Sequence, residues 1–144
     1  MPCQVQCDDF VLTDKEVATL WELTRGETVF SDDIVSVQCV SAEEMKRLNF
    51  EYRKKDSPTN VLTFSYNEDH EHDVSLCMDV AEKEAQERGD TIRDYVALLL
   101  VHAFLHVCGM DHERSLGEAK KTEDIEKKIL STAGFVPRAL SDVY

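Results

Sequence analysis

The stretch DTIRDYVALLLVHAFLHVC, residues 90–108, is the most apolar part of the chain and decides how the rest is arranged. It predicts a long buried helix that Asp90 opens and Gly109 stops. Two histidines, His102 and His106, interrupt the apolar run four residues apart, so both lie on one face of the predicted helix. The sequence therefore predicts a central helix that brings polar chemistry into an apolar setting.

The segments around this helix alternate between strand and helix patterns. Thr13 and Ser41 each precede a glutamate by three residues and are typical of capping boxes that open helices. In the second of these helices Tyr52 is expected to face inward. Strands are predicted at residues 33–40, 61–66 and 73–78, and helices at residues 13–26, 41–52, 79–88 and 115–132. This order indicates a mixed α/β or α+β domain of three or four strands and four or five helices, with the strand order left open.

Composition restricts the class of protein. The chain has 144 residues and five cysteines, and its first ten residues contain neither a basic start nor an apolar run. We therefore expect one domain, no secretory signal, no membrane span, a cytoplasmic location and cysteines that remain thiols. The net charge of −13 argues against long-range attraction to nucleic acids. A basic group close to a turn is the exception, and both a solvated surface and a binding role stay open for Arg53, Lys54 and Lys55.

A third histidine follows the central helix, so that His102, His106 and His112 form the pattern H-x3-H-x5-H. Imidazoles one turn apart can reach one ion, since a zinc–nitrogen bond is about 2.0–2.1 Å. Gly109 can turn the chain back and bring His112 to the same ion. The alternative is that each histidine makes its own hydrogen bonds, but burying two imidazoles without a shared partner is costly. We therefore expect a three-histidine metal site with one open position.

The same spacing is found in zinc peptidases, but the residue that would act as general base is missing. His102, His106, Gly109 and His112 fit the pattern H-E-x-x-H-x-x-G-x-x-H, whereas Ala103 occupies the position of its glutamate. Without this carboxylate, peptide hydrolysis has no proton acceptor. A peptidase-like hydrolase stays as an alternative function.

Three blocks of the sequence carry a resemblance to a known family. HAFLHVCGMDH, residues 102–112, resembles H-G-x-x-H-L-x-G-Y-D-H, and LNFEYRKKDSPTNVLTF, residues 48–64, resembles L-N-x-x-Y-R-x-x-D-x-P-T-D/N-V-L-S-F. DVSLC, residues 73–77, is similar to a G-D-I/L strand, with His72 in place of the glycine. Together these blocks resemble the YbeY family, the bacterial endoribonucleases of ribosomal RNA maturation.

The resemblance implies a fold, an activity and a set of site residues. It implies a compact α+β domain over residues 1–144, a zinc ion on the three histidines at the end of the central helix, and metal-dependent cleavage of single-stranded RNA. It further implies a role at the 3′ end of the small-subunit ribosomal RNA and in ribosome quality control. A functional arginine is carried over to Arg53.

Other candidate residues surround these positions. Arg53 is expected to pair with phosphate oxygens, with Asp56 or Thr59 positioning its loop and with Lys54 and Lys55 beside it. Asp111 is a candidate to hold a ligating imidazole. Exposed loop positions are expected for His70 and His72. A further alternative is a ribosome-assembly factor whose metal is structural.

Overall fold

A computed structural model describes residues 3–27, 34–66, 71–108 and 116–137, with the backbone alone for Tyr66 and residues 116–119. In chain order the elements are β1 (Cys3–Gln6), α1 (Asp14–Gly26), β2 (Ile34–Val40), α2 (Ala42–Arg53), β3 (Val61–Tyr66), β4 (Glu71–Cys77), α3 (Met78–Arg88), α4 (Ile92–Val107) and α5 (Leu116–Ala133). Within the described residues these elements form the predicted α+β architecture.

The four strands form one mixed sheet in the order β1-β2-β4-β3. Strands β1, β2 and β4 are parallel, and β3 pairs antiparallel with β4 at one edge. Strand β1 was not predicted, because its sequence CQVQ is only four residues long and carries little strand pattern. It exists through its pairing with β2, from Cys3 opposite Val35 to Gln6 opposite Gln38.

Helix α4 lies at the centre of the larger core. Its apolar side chains pack with α1, α5 and the sheet face that carries Val35, Val74 and Leu76. The rings of Trp21 and Phe104 meet edge to face, with centroids 5.2 Å apart. One face of α1 is buried against this core, and it carries Val17, Leu20, Trp21 and Thr24.

The opposite face of the sheet carries a smaller core beneath α2. Met45 is buried there with Leu62 of β3 and Cys77 of β4. The helical spacing predicts that Tyr52 also faces inward, but its side chain is 59% exposed. The expectation for Tyr52 is wrong, because α2 reaches the sheet margin at this residue and Tyr52 meets only Phe64 of the edge strand β3.

Helix ends follow the local signals in most places. Thr13 forms the predicted capping box with Glu16, and Gly89 ends α3 in the left-handed conformation at φ 74°. Helix α4 begins later than expected, since Thr91 is its N-cap and accepts a hydrogen bond from the backbone of Asp94. Asp90 instead pairs with Arg88, so its expected role in opening α4 is wrong.

Two of the cysteines are joined, contrary to the expectation of free thiols. Cys7 and Cys39 form a disulfide across neighbouring strand ends, with Cα atoms 5.1 Å apart. The expectation rested on the N-terminal sequence alone, which does not show that pairing of β1 with β2 brings these cysteines together. Cys3, Cys77 and Cys108 are buried and are not part of a disulfide. Burial raises the pKa of the Cys3 thiol to about 11, so it stays protonated at neutral pH.

Among the helices of the described residues, none is long and apolar enough to cross a bilayer.

Candidate functional site

Beyond its exposed first turn, helix α4 opens to solvent only at its two histidines. From residue 95 to residue 108 every side chain is buried except those of His102, which is partly exposed, and His106, which is exposed. The two positions are one turn apart, so their imidazoles share the only accessible stripe of this part of the helix. The expectation that both rings are buried is therefore wrong for His106, because its side of the helix is not covered by the core.

A buried carboxylate on α5 lies behind the first histidine. Glu126 has no exposed side-chain surface, and its Oε1 lies 3.4 Å from Nδ1 of His102. Histidines that bind metals commonly direct their second ring nitrogen at a carboxylate, which orients the ring and selects its tautomer. With Nδ1 directed at Glu126, Nε2 is the ring nitrogen of His102 that faces away from this carboxylate. The donor set therefore fits a divalent metal of the kind that imidazoles bind.

Glu126 was missed by the sequence reasoning, although a signal for it exists. The sequence of α5 is mostly polar, with few apolar residues. Residues 122, 126, 129, 130 and 133 recur at helical spacing, and the side chains of Thr122, Glu126, Ile129 and Leu130 are buried. A glutamate on the buried stripe of an amphipathic helix is unusual, and this position was the available signal.

The third predicted ligand and its neighbours lie outside the described residues. These are His112, Gly109, Asp111 and His70, so the three-histidine site, the role of Asp111 and the exposure of His70 stay predictions. Across residues 3–27, 34–66, 71–108 and 116–137, no three His, Cys, Asp or Glu side chains are grouped to hold a metal.

His72 is placed differently from the expectation of an exposed loop. It belongs to β4, is only 6% exposed, and its Nδ1 lies 2.8 Å from Oγ of Ser65. The reason is that pairing with β3 extends to Tyr66 opposite Glu71, so β4 starts two residues before the predicted strand. His72 then shares the sheet face of Val74, which α4 covers.

The candidate arginine lies at the end of α2. Arg53 is the last residue of this helix and its side chain is exposed. Lys54 follows in the left-handed conformation at φ 60° and turns the chain away from the helix axis. Lys55 and Asp56 are exposed, and Thr59 is partly buried. The structure brings these residues together on one loop.

This loop is held at both ends by side-chain amides. Nδ2 of Asn49 donates to the backbone oxygen of Ser57 at 2.8 Å, and Nδ2 of Asn60 donates to Oε1 of Glu84 at 3.0 Å. The same carboxylate oxygen accepts from the hydroxyl of Tyr95 on α4 at 2.8 Å. Burial, together with this hydrogen bond, raises the pKa of Tyr95 far above its usual range. A surface loop with few apolar residues is thus fixed relative to α4.

Both helices that carry candidate residues contact the edge strand β3. Tyr95 at the start of α4 is linked through Glu84 to Asn60, which directly precedes β3, and α4 packs along β3. Tyr52, next to Arg53, meets Phe64 of the same strand. Helices α4 and α2 therefore lie over opposite faces of the sheet.

Fold and site together define a class: a small α+β protein whose central helix presents a carboxylate-backed pair of imidazoles to solvent. Comparison with known proteins identifies the family. The family described as Endoribonuclease YbeY matches residues 9–134. The Endoribonuclease YbeY of Burkholderia pseudomallei is 46% identical over 111 residues, which is 74% of this chain and 60% of that protein. The protein of the same name from Delftia acidovorans is 44% identical over 106 residues, or 72% and 70% of the two chains.

A solved structure agrees with this assignment. The solution structure of a Thermotoga maritima protein is similar to the fold with a TM-score of 0.64, at 25% identity and over 90% of both chains. The chain belongs to the YbeY family. It spans about 60% of the length of the first Burkholderia relatives that it matches.

Proposed function

We propose that this protein is a metal-dependent endoribonuclease that cleaves single-stranded RNA, working as a single domain over residues 1–144. We further propose that it acts in the cytoplasm on ribosomal RNA, at the 3′ end of the small-subunit RNA, and in ribosome quality control. One observation carries the activity. In a chain whose relatives are named endoribonucleases, α4 beyond its first turn reaches solvent only at His102 and His106, and a buried carboxylate backs the first of them.

The metal in this proposal is one zinc ion per chain, held by His102 and His106 with His112 as the third ligand. Three imidazoles leave a position open to substrate, which is the pattern of catalytic zinc sites. When bound, the ion supplies Lewis-acid polarisation of a phosphoryl oxygen. Glu126 fixes the ring of His102 so that its Nε2 faces outward. Asp111 is proposed to hold a second imidazole in the same way.

The phosphate is held by residues at the end of α2. The guanidinium of Arg53 is planar and can donate to two phosphate oxygens at once, which matters most as negative charge builds on the phosphate during cleavage. Lys54 and Lys55 attract the neighbouring phosphates as point charges. Asp56 and Thr59 position the loop that carries these cations.

Two alternatives have less support. In the peptidase pattern the position of Ala103 carries the general base, but here it holds an alanine that is 1% exposed and lies among core residues. In a purely structural metal site the ligands are enclosed, because no position is left for substrate. The exposure of His106 instead gives a bound ion access to solvent and substrate.

The test combines metal analysis with an RNA cleavage assay. Purified protein is expected to contain about one zinc ion per chain, because three imidazoles form one site. His106→Ala should lose both the metal and the cleavage of single-stranded RNA. Arg53→Glu should keep the metal and lose cleavage, while Lys83→Glu, an equal change of charge at an exposed site on α3, should keep both.

Other results would contradict parts of the proposal. Normal cleavage by Arg53→Glu contradicts the role of the arginine. Chelator-sensitive cleavage of a peptide pool instead of RNA supports the peptidase. Binding of RNA without any cleavage, in protein that holds its metal, supports the assembly factor.

A further inference from the structure

The C-terminal end of α2 exposes two aromatic rings beside the basic loop. Phe50 is 54% exposed and Tyr52 is 59% exposed. Only two other large hydrophobic side chains among the described residues are exposed, Ile34 and Val136. Two of the four therefore lie within three residues of Arg53, although exposing aromatic rings to water costs free energy. This placement calls for a ligand that uses both cations and rings.

The helical repeat arranges these groups in an order. Lys46, Phe50 and Arg53 are spaced at i, i+4 and i+7, so they form one stripe along α2 with the ring between two cations. Asn49, on the neighbouring stripe, is buried and holds the loop through Ser57. The ring of Phe50 therefore projects from the rigid part of the helix and not from the loop.

Tyr52 lies on the other side of Arg53 and is held in place by the sheet. Its ring meets that of Phe64 edge to face, with centroids 4.7 Å apart and planes at 61°. A ring fixed by such a contact loses little rotational freedom when a second ring stacks on its open face. Arg53 is thus flanked by two rings, one on the helix stripe and one at the margin of the sheet.

The cations of α2 and its loop differ in whether they form ion pairs. Arg47, on the stripe next to that of Phe50, forms ion pairs with Glu44 and, at 2.8 Å, with Glu51. Lys46 lies 3.7 Å from Asp56. In the described part of the chain Arg53, Lys54 and Lys55 have no ion pair, so three consecutive cations remain for a partner of opposite charge. In a chain of net charge −13, these unpaired cations form a local positive patch that can attract a negatively charged partner to this part of the surface.

We propose that Phe50, Tyr52, Arg53, Lys54 and Lys55, here called the aromatic–basic surface, bind single-stranded RNA by base stacking. Bases stack on Phe50 and Tyr52, and the connecting phosphates pair with the three cations. Proteins that hold single strands without reading their sequence combine these two features, because every base has a face to stack and every linkage has a charge. This inference rests on the proposed function, since it assigns the strand a path beside the same Arg53. The proposal predicts that the surface binds RNA of different base sequences and prefers unpaired bases to paired ones.

The test measures binding without cleavage. A fluorescent 2′-O-methyl RNA of about 12 nucleotides, long enough to span such a surface, is titrated with protein in chelator and followed by anisotropy. Phe50→Leu and Tyr52→Leu should each weaken binding on the order of tenfold, because leucine keeps apolar bulk but lacks a ring face. Phe50→Trp should restore the wild-type affinity. Val136→Ala, at the other exposed apolar site, should bind as wild type does.

Salt and strandedness sharpen the test. Lys54→Ala should reduce the slope of log affinity against log salt by about 0.7, the value for one phosphate contact on a single strand. A duplex of the same length should bind more weakly than the single strand and should not distinguish Phe50→Leu from wild type. Thermal unfolding of each variant is the control for folding. Phe50→Leu is expected to remain folded, because this side chain is mostly exposed.

The outcomes separate this inference from the proposed function. Equal binding by wild type, Phe50→Leu and Tyr52→Leu, or no binding by wild type at low salt, overturns the aromatic–basic surface. Equal binding would assign the exposed rings to a protein partner instead. Ring-dependent binding by a protein that, loaded with zinc, cleaves no RNA supports this surface and contradicts the endoribonuclease.

Discussion

Helices α4 and α2 both carry residues that we assign to RNA cleavage, but they present them in opposite ways. Beyond its first turn, helix α4 is buried along its whole length and opens only at His102 and His106. Helix α2 buries only Met45 and Asn49 and exposes its functional end. The difference teaches that α4 holds its histidines rigidly because the residues around them are packed in the core. The end of α2 instead forms an exposed surface that contributes little to the stability of the fold.

The strongest test of this comparison replaces one phenylalanine on each helix. Phe104 has no exposed surface and packs on Trp21, so Phe104→Ala should lower the free energy of unfolding by about 3–5 kcal/mol. Phe50→Ala should change the free energy of unfolding by less than about 0.5 kcal/mol, because its side chain is mostly in water. Denaturant unfolding of both variants measures the contrast, and similar losses would mean that α2 is part of the core.

Strand β1 tests how much the disulfide contributes to stability at the edge of the sheet. It is a short edge strand, and the Cys7–Cys39 disulfide closes a loop with a sequence separation of 32. Reducing the bond, or replacing both cysteines by serine, should lower the free energy of unfolding by about 3–4 kcal/mol relative to the disulfide-bonded protein, since the unfolded chain gains the entropy of an open loop. Thermal unfolding with and without a thiol reductant measures this loss, and an unchanged melting temperature would show that strand pairing alone holds β1.

Glu126 tests how the interior of the protein supports the open stripe of α4. Glu126→Gln keeps the shape of the side chain but removes the negative charge that faces Nδ1 of His102. Zinc affinity should fall about 10- to 100-fold, as is usual when the partner of a ligating imidazole is lost. Asp124→Asn, an exposed change on the same helix, is the control for charge. Competition with a chromogenic chelator measures the affinity, and equal values for the two variants would remove Glu126 from the site.

The smallest expected effect is at the exposed beginning of α4. A hydrogen bond from Arg93 holds the pKa of the Glu16 carboxyl below its ordinary value of 4.5. The pair therefore stabilises the fold above that value, and the contribution is lost as pH falls through the lowered pKa. Because Arg93 is about half exposed, the effect should stay below about 1 kcal/mol. Arg93→Met should flatten the acid limb of a stability–pH curve compared with wild type, and parallel curves would contradict the linkage.

Local signals in the sequence predicted what depends on near neighbours. The capping box at Thr13, the helix end at Gly89 and the shared face of His102 and His106 involve residues no more than a few positions apart. Backbone geometry alone connects such residues, so a sequence pattern is enough to find them. The spacing of the histidines predicted a metal site, and the family blocks added the role of Arg53 and RNA as the substrate.

Contacts between distant segments could not be predicted in this way. Strand β1, the burial of His72 beside Ser65 and the Cys7–Cys39 bond all follow from which strands pair and in which register. The position of Glu126 behind His102 depends on how α5 packs on α4, across 24 residues of chain. None of these contacts produces a periodic pattern in the sequence from which it could be predicted.

By itself the sequence determined the central helix, the spacing of its histidines and the basic end of α2, because helical geometry converts spacing into shared faces. Tertiary structure alone decided that α4, beyond its first turn, opens to solvent only at those histidines, that Glu126 lies behind one of them, and that Phe50 and Tyr52 remain exposed beside Arg53. The physical reason is that burial depends on what packs against a helix face, and those partners come from elsewhere in the chain.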